Sequence, residues 1–313
     1  MPWSDRIGRR FKLRDLHILM TVVQSGSMGK AAAQLAMSQP VVSKAVSDME
    51  HALGVRLLDR GRRGVELTAF GKAVIKSGAA VFHELRDCVK EIEFLADPTV
   101  GEVNIGGNEA MIAGPLSAVF YRLRRRHPGI TIHVTHLAAP AQQYRELRER
   151  KVDLILGWIA DPVADDIDAN VLFQDRIKVV AGLQSRWTRR RKIELTELAN
   201  EPWGLPPPDS LIGSLVADAF RKCGTEFPRN GVATGSVHLQ NALLAKGPFL
   251  AIVPDSTLRF GSNLAPLKVL PVTLPIPPWP VGIMTLKSRT VSPVAKLFIE
   301  YVREVVKSLD KKK

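Results

Sequence analysis

Apolar residues recur three and four apart over the first third of the chain and gather into short, strand-length runs over the rest. In FKLRDLHILMTVVQSG, Leu13, Leu16, Met20 and Val23 fall at helical spacing, Ile18, Leu19 and Val22 widen the stripe, and Gly26 ends it. Ser27 then caps a second helix with interior MGKAAAQLA, where Ala31, Ala32 and Leu35 share a face small enough for two helix backbones to approach closely. A turn at Ala36-Met37 leads to Ser38 as the next N-cap, with Pro40 in the first turn, where its missing N–H costs nothing. The third helix reads to about His51. Val42, Val46, Met49 and Leu53 form its core side, and Gln39, Pro40, Ser43, Lys44 and Ser47 lie opposite. Two short apolar strands, at 55–58 and 65–67, flank DRGRRG, so a hairpin would carry Arg60, Arg62 and Arg63 at its tip.

From 68 to 96 there is no proline. Val74, Gly78, Val81, Leu85, Cys88, Ile92 and Leu95 are spaced alternately four and three, a heptad seam. A single small helical domain offers too little surface to bury three or four heptads, so the seam predicts a partner helix from a second copy. Cys88 reads as a small apolar filler. Asp97-Pro98 ends the helix.

The remainder alternates strand and helix. GEVNIGG, ITIHVTHL and VDLILGWI are strands separated by the helices PLSAVFYRLRRR and AQQYRELRERK, which indicates a parallel α/β sheet. A second such unit begins near Phe173 with strand IKVVAGL. Segment LTELANEPWGL, helix SLVADAFRKCG, strand VATGSV, helix HLQNALLAKG and strands FLAIVP and LKVLPVTL follow. Strand VGIMTL and an amphipathic helix through VSPVAKLFIEYVREVVKSL close the pattern, and LDKKK reads as a frayed tail.

Composition narrows the function. The 313 residues carry a formal charge of +13, and residues 1–72 hold twelve Lys+Arg against six Asp+Glu, a surplus of +6 beside the polar helix face and the arginine hairpin. Such a surplus suits a polyanion. Only Cys88 and Cys223 are present, which excludes a disulfide scaffold and fits a reducing compartment. There is no 18-residue apolar span, and the basic N-terminus lacks the apolar core of a secretion signal, so neither membrane nor export is expected. The chain shows no GxGxxG after a strand, GxxxxGK[ST], HExxH, CxxC or GxSxG. His133 and His136, three apart on a strand, point to opposite faces, so no metal site and no cofactor are expected. These observations argue against an enzyme. A DNA coat that ignores sequence and ligand is the other alternative, and some 200 residues of two-lobed α/β fold are superfluous for it.

The ordered motifs SMGKAA, SQPVVS, MEHALG, LLDR and LTAFG resemble the N-terminal domain of LysR-type transcriptional regulators. Leu58 stands where that family usually has Phe, and Met49 where it has Leu. GEVNIG, RRRHPGITI, LRERKVDLILG and LLAKGPFLAIVP resemble the family's effector-binding part, which shares its architecture with periplasmic solute-binding proteins. The resemblance implies an α + α/β chain with a winged helix-turn-helix (1–67), a dimerising linker helix (68–97) and two α/β subdomains (98–172 with 278–309, and 173–277), before a tail at 310–313. The chain would cross between subdomains near 171–175 and 274–280.

It further implies DNA contacts by Ser38, Gln39, Pro40, Ser43, Lys44, Ser47, Arg60, Arg62 and Arg63. Gln39 can pair with adenine, Lys44 can reach guanine or phosphate, and wing arginines can lie on the backbone or in the minor groove. The seam Val74, Val81, Leu85, Cys88, Ile92 and Leu95 would form a homodimer or, as a dimer of dimers, a homotetramer. The effector cleft would draw on Gly107, Asn108, Glu109, Ala110, Leu137, Ala138, Trp158, Pro207, Ser236 and His238, in the loops at 107–110, 137–139, 206–210 and 235–238. Relatives commonly place Ser or Thr where Asn108-Glu109 stands. Glu109 would repel an anion if it faced the cleft, so it points outward or the ligand carries a hydroxyl or amine. The expected partners are an operator duplex, a small-molecule effector and RNA polymerase, in a bacterial cytoplasm.

Overall fold

The computed structural model describes residues 11–61, 64–260 and 266–310. The chain forms two compact units, one up to Val89 and the other from Lys90.

The first unit packs α1 (Leu13–Ser25), α2 (Met28–Gln34) and α3 (Gln39–Leu53) around Leu16, Leu19, Val22, Ala31, Val42, Val46 and Met49. Gly26 and Gly54 end α1 and α3 in the left-handed region at φ 71° and 70°, where a side chain would be strained. Ser27 caps α2, its Oγ accepting from Lys30 N at 3.1 Å. Ser38 has the extended N-cap backbone of α3, but its side chain makes no capping bond. Leu13, expected in the core stripe, is 48% exposed; the buried face of α1 is centred on Leu16, Ile18, Leu19 and Val22.

The wing is an antiparallel pair, β1 (Leu58–Gly61) with β2 (Gly64–Leu67). It starts three residues later than the apolar pattern predicts. The cause is Glu50, whose Oε1 accepts from Leu57 N at 2.7 Å and Leu58 N at 3.2 Å and holds the approach to the strand against α3.

Helix α4 (Ala69–Ala96) is capped by Thr68, whose Oγ1 accepts from Gly71 N at 3.0 Å. Its first turns lie on their own unit: Gly71 and Gly78 are buried, and Val74, Ile75 and Phe82 pack on the core. Val74 therefore leaves the predicted seam. The glycines make this possible, because a Cβ at 71 would sit 2.1 Å from Leu57 O and one at 78 would sit 2.7 Å from Leu16 Cδ1.

The second unit holds two five-stranded sheets. The first is built from β3 (Val100–Gly107), β4 (Gly129–His136), β5 (Leu154–Trp158), β6 (Ile167–Asp175) and the last strand of the chain, β12 (Trp279–Leu286), in the order β4-β3-β5-β12-β6. Helices α5 (Ser117–Arg126) and α6 (Pro140–Arg148) join its early strands. Strand β3 is parallel to β4 and β5, but β12 is antiparallel to β5 and β6, so the sheet is mixed rather than all-parallel. The reason is topological: β12 arrives from the other sheet and enters in reverse. Strand β6, an edge strand, is absent from the apolar pattern because only its two ends, Ile167 and Asp175, are buried.

The second sheet uses β7 (Ile177–Gly182), β8 (Trp203–Leu205), β9 (Gly231–Ala233), β10 (Leu250–Pro254) and β11 (Leu267–Val269), in the order β11-β7-β10-β8-β9. It is also mixed, with β7 antiparallel to β10 and β11. Helices α7 (Leu211–Lys222), α8 (Val237–Lys246) and α9 (Asp255–Phe260) lie between its strands, and α10 (Pro293–Asp310) ends the described chain. One face of the first sheet buries Val103, Ile105 and Leu156 against Leu123 of α5 and Phe298 and Val302 of α10. The second sheet buries Val179 and Ile252 against Val216 and Phe220 of α7. The chain passes between the sheets through Arg176 alone, and returns through residues 270–278.

Candidate functional site

On α3 the two faces separate cleanly. Val42, Ala45, Val46, Met49 and Ala52 are buried, while Ser38, Gln39, Pro40, Lys44 and Ser47 are exposed. Ser43 sits at the border, half-buried and already partnered. Val41, 43% exposed beside Pro40, adds a branched apolar group to the same face; such a group can contact a thymine methyl. Arg60 lies on β1 opposite Val65, and Arg62 and Arg63 lie outside the described residues.

From Val81 on, α4 changes character. Val81, Leu85, Ile92 and Leu95 are exposed apolar residues, Cys88 is exposed among them, and Val89 widens the strip.

The second unit contains a cavity of about 530 Å³ between the strand ends of its two sheets. Asn108, Glu109, Ala110, Ala138 and Trp158 line it from the first sheet, and Pro207 and Ser236 from the second. Three expected residues lie elsewhere. Leu137 is buried in the core beside Leu147 and Ile155. Gly107 is buried beneath the cavity, with Leu156 O only 3.2 Å from where a Cβ would stand. His238 is outside the lining, and its backbone N–H reaches Glu109.

Asn108 caps the helical turn Glu109–Met111, its Oδ1 accepting from Met111 N at 3.0 Å. Glu109 faces the cavity and reaches across it: its Oε1 accepts from His238 N, at the start of α8, at 3.4 Å. Ser236 caps the same helix end by accepting from Leu239 N at 3.3 Å. Ser210 caps α7 in the same way, through Gly213 N at 3.1 Å.

The sequence pattern offers neither Gln143 nor Gln240, and weighs His136 only as a metal ligand, yet all three line the cavity. His136 and His133 do point apart, since His133 instead meets Glu102 at 3.4 Å. Gln143 and Gln240 look like ordinary polar helix positions, but they are only 3% and 5% exposed. Gln143 Nε2 donates to Leu137 O at 2.9 Å, and Gln240 Nε2 donates to Gly204 O at 3.0 Å. Trp158 Nε1 is buried with no hydrogen-bond partner among the described residues.

Asp175, the last residue of β6, stands at the crossing between the sheets. Its Oδ1 accepts from Arg176 N at 2.9 Å and Ser256 N at 3.1 Å, and its Oδ2 from Ser256 Oγ at 2.5 Å. Burial pushes this carboxyl above the ordinary aspartate range; the hydrogen bonds oppose that, and Asp255 nearby adds to it.

Among the described residues no His, Cys, Asp or Glu cluster could hold a metal ion. No described helix is long and apolar enough to cross a membrane.

Residues 13–72 match the bacterial regulatory helix-turn-helix of the lysR family, and residues 96–307 match the LysR substrate binding domain. The HTH-type transcriptional regulator GbpR of Azospirillum brasilense is 28% identical over 296 residues, 94% of this chain and 86% of that one. TdcA of Escherichia coli K12, also an HTH-type transcriptional regulator, is 26% identical over 295 residues, 94% and 93% of the two chains. Among solved structures, full-length CbnR complexed with its target DNA shares the fold at a TM-score of 0.53 and 22% identity, covering 95% of this chain and all (100%) of that one. A helix-turn-helix unit followed by a two-sheet cleft, each matched over its length, makes this chain a member of the LysR family of DNA-binding, effector-responsive transcriptional regulators.

Proposed function

We propose that the protein reads a near-palindromic operator through α3, with Gln39, Pro40, Ser43 and Lys44 at base edges or phosphates and the wing arginines on the backbone. The observation that carries this reading is the face of α3: small, polar and exposed, directly opposite a fully buried apolar face. The exposed apolar strip of α4 supports pairing with a second copy as a homodimer, which sets two recognition helices on a twofold axis. Two such dimers would give a homotetramer. A small effector in the cavity favours one arrangement of the sheets, which shifts the spacing of the DNA-binding heads and hence contact with RNA polymerase. The protein works without enzymatic activity, in the cytoplasm, as fits relatives named as regulators.

The test is a footprint of the purified protein on fragmented genomic DNA. Discrete near-palindromic sites beside a few promoters are expected, weakened by Gln39→Ala and Ser43→Ala with folding unchanged. Even, sequence-blind coverage with a steep salt dependence would move the reading to an architectural DNA coat.

A further inference from the structure

A cavity states which ligand it suits by the polar groups it leaves unused. Among its described lining residues Glu109 is the only Asp or Glu, and there is no Lys or Arg. This holds in a chain whose overall charge is +13. Helix N-termini often receive a ligand's anion, but here the protein's own carboxylate already takes a backbone N–H at the start of α8, across the cavity. The first turns of α7 and α8 also spend N–H groups on Ser210 and Ser236.

The two buried amides add an independent observation. A backbone carbonyl can only accept, so the bonds from Gln143 to Leu137 O and from Gln240 to Gly204 O fix which end of each amide is nitrogen. Each amide oxygen is then left without a hydrogen bond among the described residues. One amide comes from each side of the cleft, and both side chains line the cavity. A carboxylate and two amide oxygens together call for a donor-rich, positively charged group. Trp158, the largest ring in the lining, is the ring type most favourable to a cation.

We propose that this cleft selects a ligand carrying a protonated amine on an apolar body, with the amine paired to Glu109 and the amide oxygens of Gln143 and Gln240. The proposal rests on the effector reading above and specifies its ligand class.

The experiment is calorimetric titration of the full chain with three matched sets: benzylamine, benzyl alcohol and benzoate; 3-phenylpropylamine, its alcohol and its acid; and hexylamine, hexanol and hexanoate. The expected result is that at least one amine binds, about tenfold or more tighter than its matched acid. Glu109→Gln, which keeps an oxygen for His238 N and so preserves the fold, is expected to weaken that amine about tenfold or more. An acid that binds tighter than its amine, amine binding indifferent to Glu109→Gln, or no amine bound at millimolar concentration overturns the assignment. The effector reading is judged separately, by whether compounds that bind, of any charge, change the operator footprint. An acid that binds and changes it sinks the charge assignment alone.

Discussion

The two ends of α4 carry the same heptad spacing and meet opposite surroundings. The first turns lie against the core of their own unit, with Gly71 and Gly78 allowing backbone approach and Val74, Ile75 and Phe82 filling the contact. The later turns expose Leu85, Val89, Ile92 and Leu95. A period of three and four states that a helix has an apolar face; it does not state whose surface covers that face. The covering is decided by how much room the seam itself leaves, here two glycines with an aromatic ring beside them, which mark where the helix is close to its own domain. An unbroken apolar strip with no such small residues is the part that the chain itself leaves uncovered.

That contrast can be broken at several points. The largest effect is expected at the seated end. Gly71→Ala drives a Cβ to 2.1 Å from Leu57 O, a backbone atom that cannot rotate away. It should destabilise the first unit by about 3 kcal/mol or more, read by denaturant unfolding. At the free end, Leu85→Asp should weaken self-association by about 100-fold while leaving far-UV circular dichroism unchanged. A stable dimer in sedimentation would move the pairing surface elsewhere.

An intermediate effect is expected at Asp175, an acid covered by its own chain. Its folded-state pKa is raised, so folding favours the protonated form, and stability from this group falls as pH rises through and above the ordinary aspartate range. Asp175→Asn should therefore gain on the native chain as pH climbs toward neutrality, by a few degrees in Tm. A difference that does not vary with pH counts against the raised pKa. The smallest effect is expected at Leu95→Ser in a Leu85→Asp chain already freed of its partner, which should change unfolding free energy by less than about 0.5 kcal/mol because the side chain has little to lose in the single chain.

Local signals were readable wherever the chain decides its own geometry. Gly26 and Gly54 end helices because the left-handed region favours glycine, and Ser27 starts one because its hydroxyl takes an amide. The loops at strand ends were readable for the same reason, and they include Asn108, Glu109, Ala138 and Ser236 of the cavity lining. What escaped depends on distant partners. Glu50 sets the start of β1 from another element. Strand β6 exists only by pairing with β12, more than a hundred residues later. Gln143 and Gln240 become binding groups only when the fold buries them and fixes their amides on two carbonyls. A helical period gives no sign of that, because a glutamine on a solvated face looks the same in sequence.

The single-residue passage at Arg176 has a mechanical consequence. A tether of one residue between β6 and β7 has no slack, so the sheets cannot slide past one another there without breaking a ladder. The return segment contains Pro271, Pro275, Pro277 and Pro278, whose rings restrain the backbone. A relative movement of the sheets would then be angular: a swing about a pivot pinned by Asp175 and Ser256, with travel that grows with distance from it. Groups at the far lip of the cleft then move furthest, so a small ligand wedged near the pivot would be geared up into a larger displacement at the rim.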